Sequence, residues 1–597
     1  MERYLPTGNE MISLPKINEY NAGIEDFTFL SMQYKGMVEV RGNEHAPLIQ
    51  PYIQINHEEI SLTELHWSRE HYWLPVLNAN AGSHDFSMTI LPPVGERGFA
   101  VRLSIKGTDC ADLTWGLHGF WESSWHCVNE DKQLEGSVHC YQSDWNHSII
   151  FDFRSGGPVF AFAPMCDQET EVHYSLENNQ VYYELSRKDR LEKDSVLEMT
   201  FYWGLGFEEV AAATSAKEML RRGWDWEYQK TANWLDQRTT KMVTEKLTEI
   251  YNTNLFFCIF FSTGLTLDTE ELVCATSRST RYYVSAAYWD RDVLLWAFPA
   301  ILDADHELAE EILHYIFGRQ RKNLGIHSRY IDGTVLEPGF ELDELLSPII
   351  ALEAYVEKSG DQEILEDSNV KKGIRQILKT LDSMRHPEIP LYETFLQPTD
   401  DEIVYPYITY NNVLVWRSLH ALAKLYPEQY ASLSNTAEAV KEAIYKYCVF
   451  SDQEQKPYFG WSVDLKGNHN IYDEPPGSLQ LLPYYGFCDN DDKVWIHTVD
   501  MIRSPKYEYS FADSPIAEIG CAHAPYPWIL SLCNSLLCGH EAQAFKELEI
   551  MEMDNGIACE SVDPVKGTCT TGAAFATCAG FLCHSMKTAY REDAYEK

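Results

Sequence analysis

The apolar residues of this chain change their period once, near Glu208, and that change restricts the fold to two kinds of packing in series. From about Ile12 to Gly206 the sequence runs in short alternating stretches such as M-V-E-V-R, F-A-V-R-L-S-I, S-I-I-F-D-F, V-Y-Y-E-L and L-E-M-T-F-Y-W, broken by Gly, Pro, Asn and Asp. Residues two apart share one face of a strand, so these stretches predict antiparallel sheets packed as a sandwich. No helical repeats intervene, which argues against parallel βαβ units. From about Thr239 the apolar residues instead recur at three and four, as in W-D-R-D-V-L-L-W-A-F-P-A-I-L, L-L-S-P-I-I-A-L-E-A-Y-V-E-K-S-G and W-I-L-S-L-C-N-S-L-L. That is the period of helices with one face turned to a core.

The helical part predicts roughly ten to twelve helices joined by loops that alternate long and short. It has no fixed-length repeat, which argues against a solenoid. A closed ring of helical hairpins, an (α/α)6 toroid, fits, with the long loops converging on one end. The expected organisation is a β-sandwich over residues 1–207, a helical connector over 208–238 broken at Gly223, and the toroid over 239–597. No Gly/Ser-rich or Pro-rich tether separates the parts, so the junction is expected to be tight.

Composition narrows the function classes. A formal charge of −42 leaves no basic face for a phosphate backbone and disfavours anionic membranes. No nucleic-acid or membrane partner is therefore expected. The N-terminal stretch M-E-R-Y-L-P-T-G-N-E has no apolar core of a secretory leader, and no run of apolar residues reaches membrane-spanning length. The 15 Cys are odd in number and scattered, which reads as reduced thiols and a cytoplasmic setting. His126-Cys127 and His139-Cys140 sit in alternating strand sequence without a C-x-x-C, so zinc is not expected there. Trp67, Trp73, Trp115, Trp121 and Trp125 read first as core and interface aromatics rather than a sugar platform.

Five loops of the helical part concentrate reactive side chains. Asp290-Arg291-Asp292, flanked by Trp289 and Trp296, reads equally as a helix cap with an ion pair or as a clamp on a sugar. Glu341 and Asp343 precede an apolar helix. Asp400 and Asp401 follow a proline turn among aromatics, including Tyr407, ahead of a helix that begins at Asn411 and Asn412. Glu518, His523 and Trp528 lead into another helix. Asp554-Asn555-Gly556 forms a turn, and Glu560 follows a small apolar run that reads as a short strand. There is no Ser-His-Asp pattern, phosphate-binding glycine loop or metal-ligand motif. Paired carboxylates, one protonated to help a leaving group depart and one ionised to activate water, are what glycosidic bond cleavage requires.

These loops also resemble a known family in matching order. W-D-R-D-V-L-L-W-A-F-P, F-E-L-D-E-L-L-S-P, T-F-L-Q-P-T-D-D, G-S-L-Q-L-L-P-Y-Y-G-F and I-A-C-E-S-V-D, between about Tyr282 and Met586, are similar to motifs of glycoside hydrolase family 125. Its members are metal-independent exo-α-mannosidases with an (α/α)6 fold and an inverting mechanism. The resemblance implies a general acid at Asp400 or Asp401 and a general base at Glu560. It makes Arg291, Asp292, Glu341 and Asp343 candidates for gripping the terminal sugar. Trp289, Tyr407, Asn411, Asn412, His523 and Trp528 complete the expected substrate-binding set. No cofactor is implied, and the expected partner is an oligosaccharide or glycoside. Inversion calls for acid and base carboxyls roughly 6.5–9.5 Å apart. Departures fall at Gln397, where the family has Arg, at Cys559, where it has His, and at G-A-A-F-A-T-C-A-G after the base. The sandwich in front is also larger than compact family members carry and is similar to those preceding glucoamylase-like and phosphorylase toroids. An α-glucosidase or a glycoside phosphorylase is therefore the alternative reading.

Overall fold

The structure is a computed structural model and describes residues 3–43, 45–144 and 147–590. It divides into two compact units. The first holds the chain up to Thr239 together with Thr263–Val273 and Arg278–Ala286; the second holds Thr240–Ser262, Cys274–Ser277 and the chain from Ala287 onward.

The first unit is built from antiparallel sheets. The eight-stranded sheet runs in the order Ser137–Gln142, Ile149–Arg154, Pro158–Cys166, Val196–Gly206, Gly98–Lys106, His84–Leu91, Leu74–Ala81 and Leu62–Glu70. A five-stranded sheet is centred on Ala111–Trp121 and Gln180–Leu191, and a six-stranded sheet on Asp26–Ser31 and Gly36–Arg41. Alternation decides which face is buried: in Leu74–Ala81, Leu77, Ala79 and Ala81 are buried, whereas Asn78 is exposed. Aromatic rings fill the core. Phe151 stacks on Phe162 with centroids 4.6 Å apart, and Trp121 packs against Phe153, Phe160 and Phe162. Trp73, Trp115 and Trp121 are fully buried and Trp67 and Trp125 partly so, which is the core reading of these tryptophans.

Helices α1 (Glu209–Arg222) and α2 (Trp224–Asp236) also belong to this unit. The alanine-rich face of α1, with Ala212, Ala213 and Ala216, lies against Val196–Gly206 and Pro158–Cys166. The approach needs Gly204, where an added Cβ would meet the Ala212 carbonyl oxygen at 2.1 Å. Gly223, at φ 83°, makes the break between the two helices.

The second unit alternates outer and inner elements. The outer set is α3 (Glu245–Ser262), α5 (His306–Gly318), α7 (Ser368–Ser383), α10 (Leu433–Tyr447), α11 (Lys493–Ile502) and α13 (Glu541–Ile550). The inner set is a π-helical turn Asp292–Ala297 continued by α4 (Phe298–Ala304), then α6 (Leu342–Ser359), α8 (Thr409–Leu425), two 3-10 turns (Pro475–Gly477 and Leu479–Leu481), α12 (Ile529–Leu537) and α14 (Ala576–Ala589). A short helix α9 (Pro427–Tyr430) joins α8 to α10. Inner neighbours pack in sequence, and α14 returns to the π turn, so the ring closes. This is the six-hairpin toroid that the helical period predicts. Outer α7 is amphipathic, burying Val370, Ile374, Ile377 and Leu381, whereas inner α4, α6, α8, α12 and α14 are buried over most of their surface.

Two inner elements depart from regular helix for local reasons. Pro299 has no N–H to close an α-helical bond to the preceding turn, and the chain winds as a π-helix immediately before it. Pro475-Pro476-Gly477 likewise permits only short 3-10 turns at the fifth inner position. α8 begins at Thr409, two residues ahead of the start read at Asn411. Because inner elements all follow outer ones, their N-termini share one rim. The long connections Gly318 to Leu342, Ser383 to Thr409, Ile502 to Ile529 and Ile550 to Ala576 reach that rim, while short ones such as Ala304 to His306 lie opposite.

Candidate active site

Each inner element presents polar groups at its N-terminal end, where the helix dipole and unpaired backbone N–H groups favour anions. Asp290, Arg291 and Asp292 open the π turn, and Glu341, Asp343 and Glu344 open α6. Thr399, Asp400 and Asp401 lie in the loop ahead of α8, and Asp473 and Glu474 precede the 3-10 turns. His523 and Trp528 lead into α12. Glu560 lies beside the strand pair Ser561–Val562 and Cys569–Thr571 ahead of α14.

Arg291 is the centre of one cluster. Its Nη1 donates to Glu341 Oε2 at 2.6 Å and to Asp343 Oδ2 at 3.2 Å, and its Nη2 donates to Asp400 Oδ1 at 2.7 Å. Asp292 Oδ1 lies 3.6 Å from its Nε, and its backbone N–H donates to Glu344 Oε1 at 3.0 Å. Asp290 binds Arg329, so it supports the cluster from behind. Burial of so many carboxyls around few cations disfavours full ionisation. Burial first, and then the Asp400 charge, raise both Asp292 and Glu341 to about 7, with Arg291 opposing. Burial also raises Asp343 and takes Glu344 well above the usual carboxylate range. Arg291 itself is raised despite its burial, chiefly by Asp400 and Glu341.

His327 belongs to the same cluster and was not singled out in the sequence. Its Nδ1 contacts Glu341 Oε1 and lies 3.6 Å from Asp400 Oδ1, and its ring meets Trp289 edge-on at 5.6 Å. It lies on the strand Ile326–Arg329, two residues from Arg329. No local pattern in I-H-S-R marks it, because the strand pairing is irregular there and its partners Glu341 and Asp400 lie on other segments. His327, Glu341 and Asp400 bring ligand-type atoms within 4.8 Å of one another. They do not suit a metal ion, because the Arg291 guanidinium already lies against both carboxylates and would repel one. In the first unit Glu39, Cys127 and Asp131 are similarly close, but Lys16 and Arg41 pair with Glu39 there. His126 and Cys127 are adjacent on one strand and point to opposite faces.

Asp400 and Asp401 part company in the fold. Asp400 adopts φ 69° and turns to Arg291, while Asp401 turns to His523 Nδ1 at 3.2 Å and to Thr399 Oγ1 at 3.3 Å, both on its Oδ2. Thr399 also reaches Glu474, its N–H donating to Oε2 at 3.2 Å and its Oγ1 lying 2.8 Å from Oε1. Glu474 is fully buried, and burial first, then Asp401, push it up to about 8 against the hydrogen bonds from Thr399. The sequence reading missed Glu474. It sits in D-E-P-P just upstream of the G-S-L-Q-L-L-P motif, an acid ahead of an inner element like the others. Glu560 is buried, and its Oε1 accepts from Thr571 Oγ1 at 2.7 Å.

The remaining expected residues are divided. Trp528 donates from Nε1 to the Ala524 carbonyl and meets His523 edge-on, so the two stand together beside Asp401. Asn412 spends its amide on the backbone of Tyr392 and Ile408, which fastens the loop to α8. Tyr407 pairs with Val463 in a two-residue strand and packs on His386. Asn411 is buried with neither amide atom hydrogen-bonded among the described residues, and the same holds for Trp289 Nε1 and Asp343 Oδ1. Unpaired polar atoms of this kind are rare in cores and common where a polar ligand completes them.

Residues 386–586 match the model of the family described as metal-independent alpha-mannosidase (GH125). That segment contains Asp400, Asp401, Glu474 and Glu560. A search of curated proteins returns no match. Among solved structures, a Streptococcus pneumoniae metal-independent alpha mannosidase in a non-productive complex with alpha-1,6-mannobiose superposes with TM-score 0.51 at 16% identity, covering 58% of this chain and 94% of that one. A bacterial glucoamylase complexed with acarbose superposes with TM-score 0.61 at 11% identity, covering 100% of this chain and 97% of that one. A candidate kojibiose phosphorylase from the human microbiome gives TM-score 0.60 at 11% identity, covering 97% and 86%. At these identities the likeness is one of fold. No helix among the described residues is long and apolar enough to cross a membrane. Residues 386–586 therefore match the metal-independent alpha-mannosidase family (GH125), and the chain as a whole is similar in fold to the bacterial glucoamylase.

Proposed function

We propose that this protein is an exo-acting, inverting glycosidase of α-linked oligosaccharides, with α-mannosides, in particular α-1,6-linked ones, as its substrates. Asp401 serves as general acid and Glu560 as general base. The carrying observation is that the matched segment spans both the Asp400–Asp401 loop and Glu560. Asp400 is committed to Arg291, whereas Asp401 has one oxygen, Oδ1, with no partner among the described residues, which suits a proton donor to the glycosidic oxygen. Arg291, Asp292, Glu341, Asp343 and Asp400 form the clamp on the terminal sugar, with Trp289 and Asn411 completing its hydroxyl contacts. A neutral sugar suits this cluster, since carboxylates accept from hydroxyls and Arg291 donates to them.

Glu560 draws a proton from water as the water attacks the anomeric carbon, Asp401 gives its proton to the departing oxygen, and the configuration inverts. The test is to incubate the protein with α-1,6-mannobiose, aryl α-mannosides and matching α-glucosides, following the anomer released by NMR. Release of mannose as its β-anomer is expected. Glucose release would move the protein to the α-glucosidase reading, phosphate-dependent release of a sugar phosphate would make it a phosphorylase, and no release from any glycoside would overturn the hydrolase reading.

A further inference from the structure

Thr399 has one hydroxyl hydrogen and stands between two carboxyls. Its Oγ1 lies 2.8 Å from Glu474 Oε1 and 3.3 Å from Asp401 Oδ2. One hydrogen cannot serve both contacts, so the arrangement is satisfied only when one of the two carboxyls brings a proton of its own. We propose that Glu474 is a positioning residue for the general acid, sharing one proton with Asp401 through the Thr399 hydroxyl. This rests on the glycosidase reading, in which Asp401 is the donor.

The exchange balances without any other reactant. When Glu474 carries the proton, it donates to Thr399 Oγ1, and Thr399 donates its hydroxyl hydrogen to Asp401. When the Thr399 hydrogen passes to Asp401, the Glu474 proton passes to Thr399, and Glu474 is left as the carboxylate, now accepting from Thr399. One proton has moved from Glu474 to Asp401, and no bond other than these O–H bonds has changed. The proton then lies on Asp401 Oδ2, and a half-turn of the carboxyl about its Cβ–Cγ bond carries it to the substrate side; after Asp401 has given it to the departing sugar oxygen, the same shift reloads Asp401. The proton that Glu560 takes from water returns through solvent to the half-exposed Asp401 and, by the reverse shift through Thr399, to Glu474 before the next cycle.

The surroundings favour a protonated Glu474. Glu474 is fully buried, and among the described residues no cation contacts it. The titratable groups facing it are Tyr472, which hydrogen-bonds to it, Asp401, Tyr507 and Cys521, all acids. Among the described residues the basic group beside the pair is His523, whose Nδ1 contacts Asp401 Oδ2. Burial holds Glu474 up to about 8, so it retains a proton where an ordinary glutamate has lost it.

Glu474→Gln and the pair Thr399→Val and Thr399→Ser test the proposal, with kcat/KM followed against pH on an α-linked disaccharide and on a dinitrophenyl α-glycoside. The disaccharide needs protonation to depart, and the dinitrophenolate does not. Glu474→Gln is expected to move the alkaline limb for the disaccharide down by about one pH unit, a loss of about tenfold on that limb, with a much smaller loss on the dinitrophenyl glycoside. Thr399→Val is expected to do the same, and Thr399→Ser, which restores the hydroxyl, to recover the limb. Equal losses on both substrates at every pH would reduce Glu474 to a structural support and overturn the proposal. So would an unchanged limb in both Glu474→Gln and Thr399→Val. If Glu474→Gln does not fold, the two Thr399 variants decide alone. Wild-type protein that cleaves neither substrate would overturn the glycosidase reading itself, whereas an active wild type with insensitive variants would overturn only the role of Glu474.

Discussion

Nη2 of Arg291 lies 2.7 Å from Oδ1 of Asp400, tying the start of the first inner element to the loop ahead of the third. The same guanidinium holds Glu341 and Asp343 at the start of the second. Arg291→Met would leave these buried carboxyls without a cation. It is expected to cost about 3–5 kcal/mol in urea unfolding and to abolish activity. Arg291→Lys keeps the charge but not the planar fork, so it is expected to fold better than the methionine variant and still to bind substrate poorly.

Glu560 Oε1 accepts a hydrogen bond from Thr571 Oγ1 that a glutamine can keep. Glu560→Gln is therefore expected to retain the wild-type unfolding midpoint and lose hydrolysis by about 10²–10⁴. A variant that hydrolyses at the wild-type rate would remove Glu560 from the base role, and cleavage that depends on added phosphate would favour the phosphorylase reading.

His327 offers a pH test of stability. Burial pulls its pKa down, but the hydrogen bond with Glu341 and the charges of Asp400 and Glu341 outweigh this, so the net shift is upward from 6.5. A base raised in the folded state adds stability that is fully present below its unfolded pKa and is lost as pH rises through the folded one. The stability difference between wild type and His327→Gln is expected to be largest below pH 6.5 and to shrink as pH rises above that value, as measured by urea unfolding across the range. A difference independent of pH would show that His327 acts by packing alone.

Trp121 is fully buried among Phe153, Phe160 and Phe162 in the first unit. Trp121→Ala is expected to destabilise that unit by about 3–5 kcal/mol, seen by calorimetry as a lowered transition. A transition at the wild-type temperature would show that the aromatic core is not what holds the sheets together.

Fold class was legible because periodicity is local. Alternation in F-A-V-R-L-S-I and the three-four spacing in L-L-S-P-I-I-A-L-E-A-Y follow from strand and helix geometry wherever the chain ends up. The loops that carry acids were legible as well, since most lie next to a helix start, but Glu474 was not picked out among them. Where the local pattern misled slightly, as at the start of α8, the boundary was set by Thr409 bonding to the carbonyls of Gly460 and Trp461, which lie far off in sequence.

By itself the sequence determined a β part followed by a helical part, a ring of hairpins with its polar loops at one end, and the carboxylates Asp400, Asp401 and Glu560 as the groups to watch. Only the tertiary structure decided how those carboxylates divide. Asp400 and Asp401 are neighbours of the same type, and nothing local tells which turns to Arg291 and which to Thr399 and His523. His327 and Glu474 were decided the same way, for their partners Glu341 and Thr399 lie on other loops. Closing the ring brings those loops together, and the electrostatics of a buried acid depend on which charges the closure sets beside it.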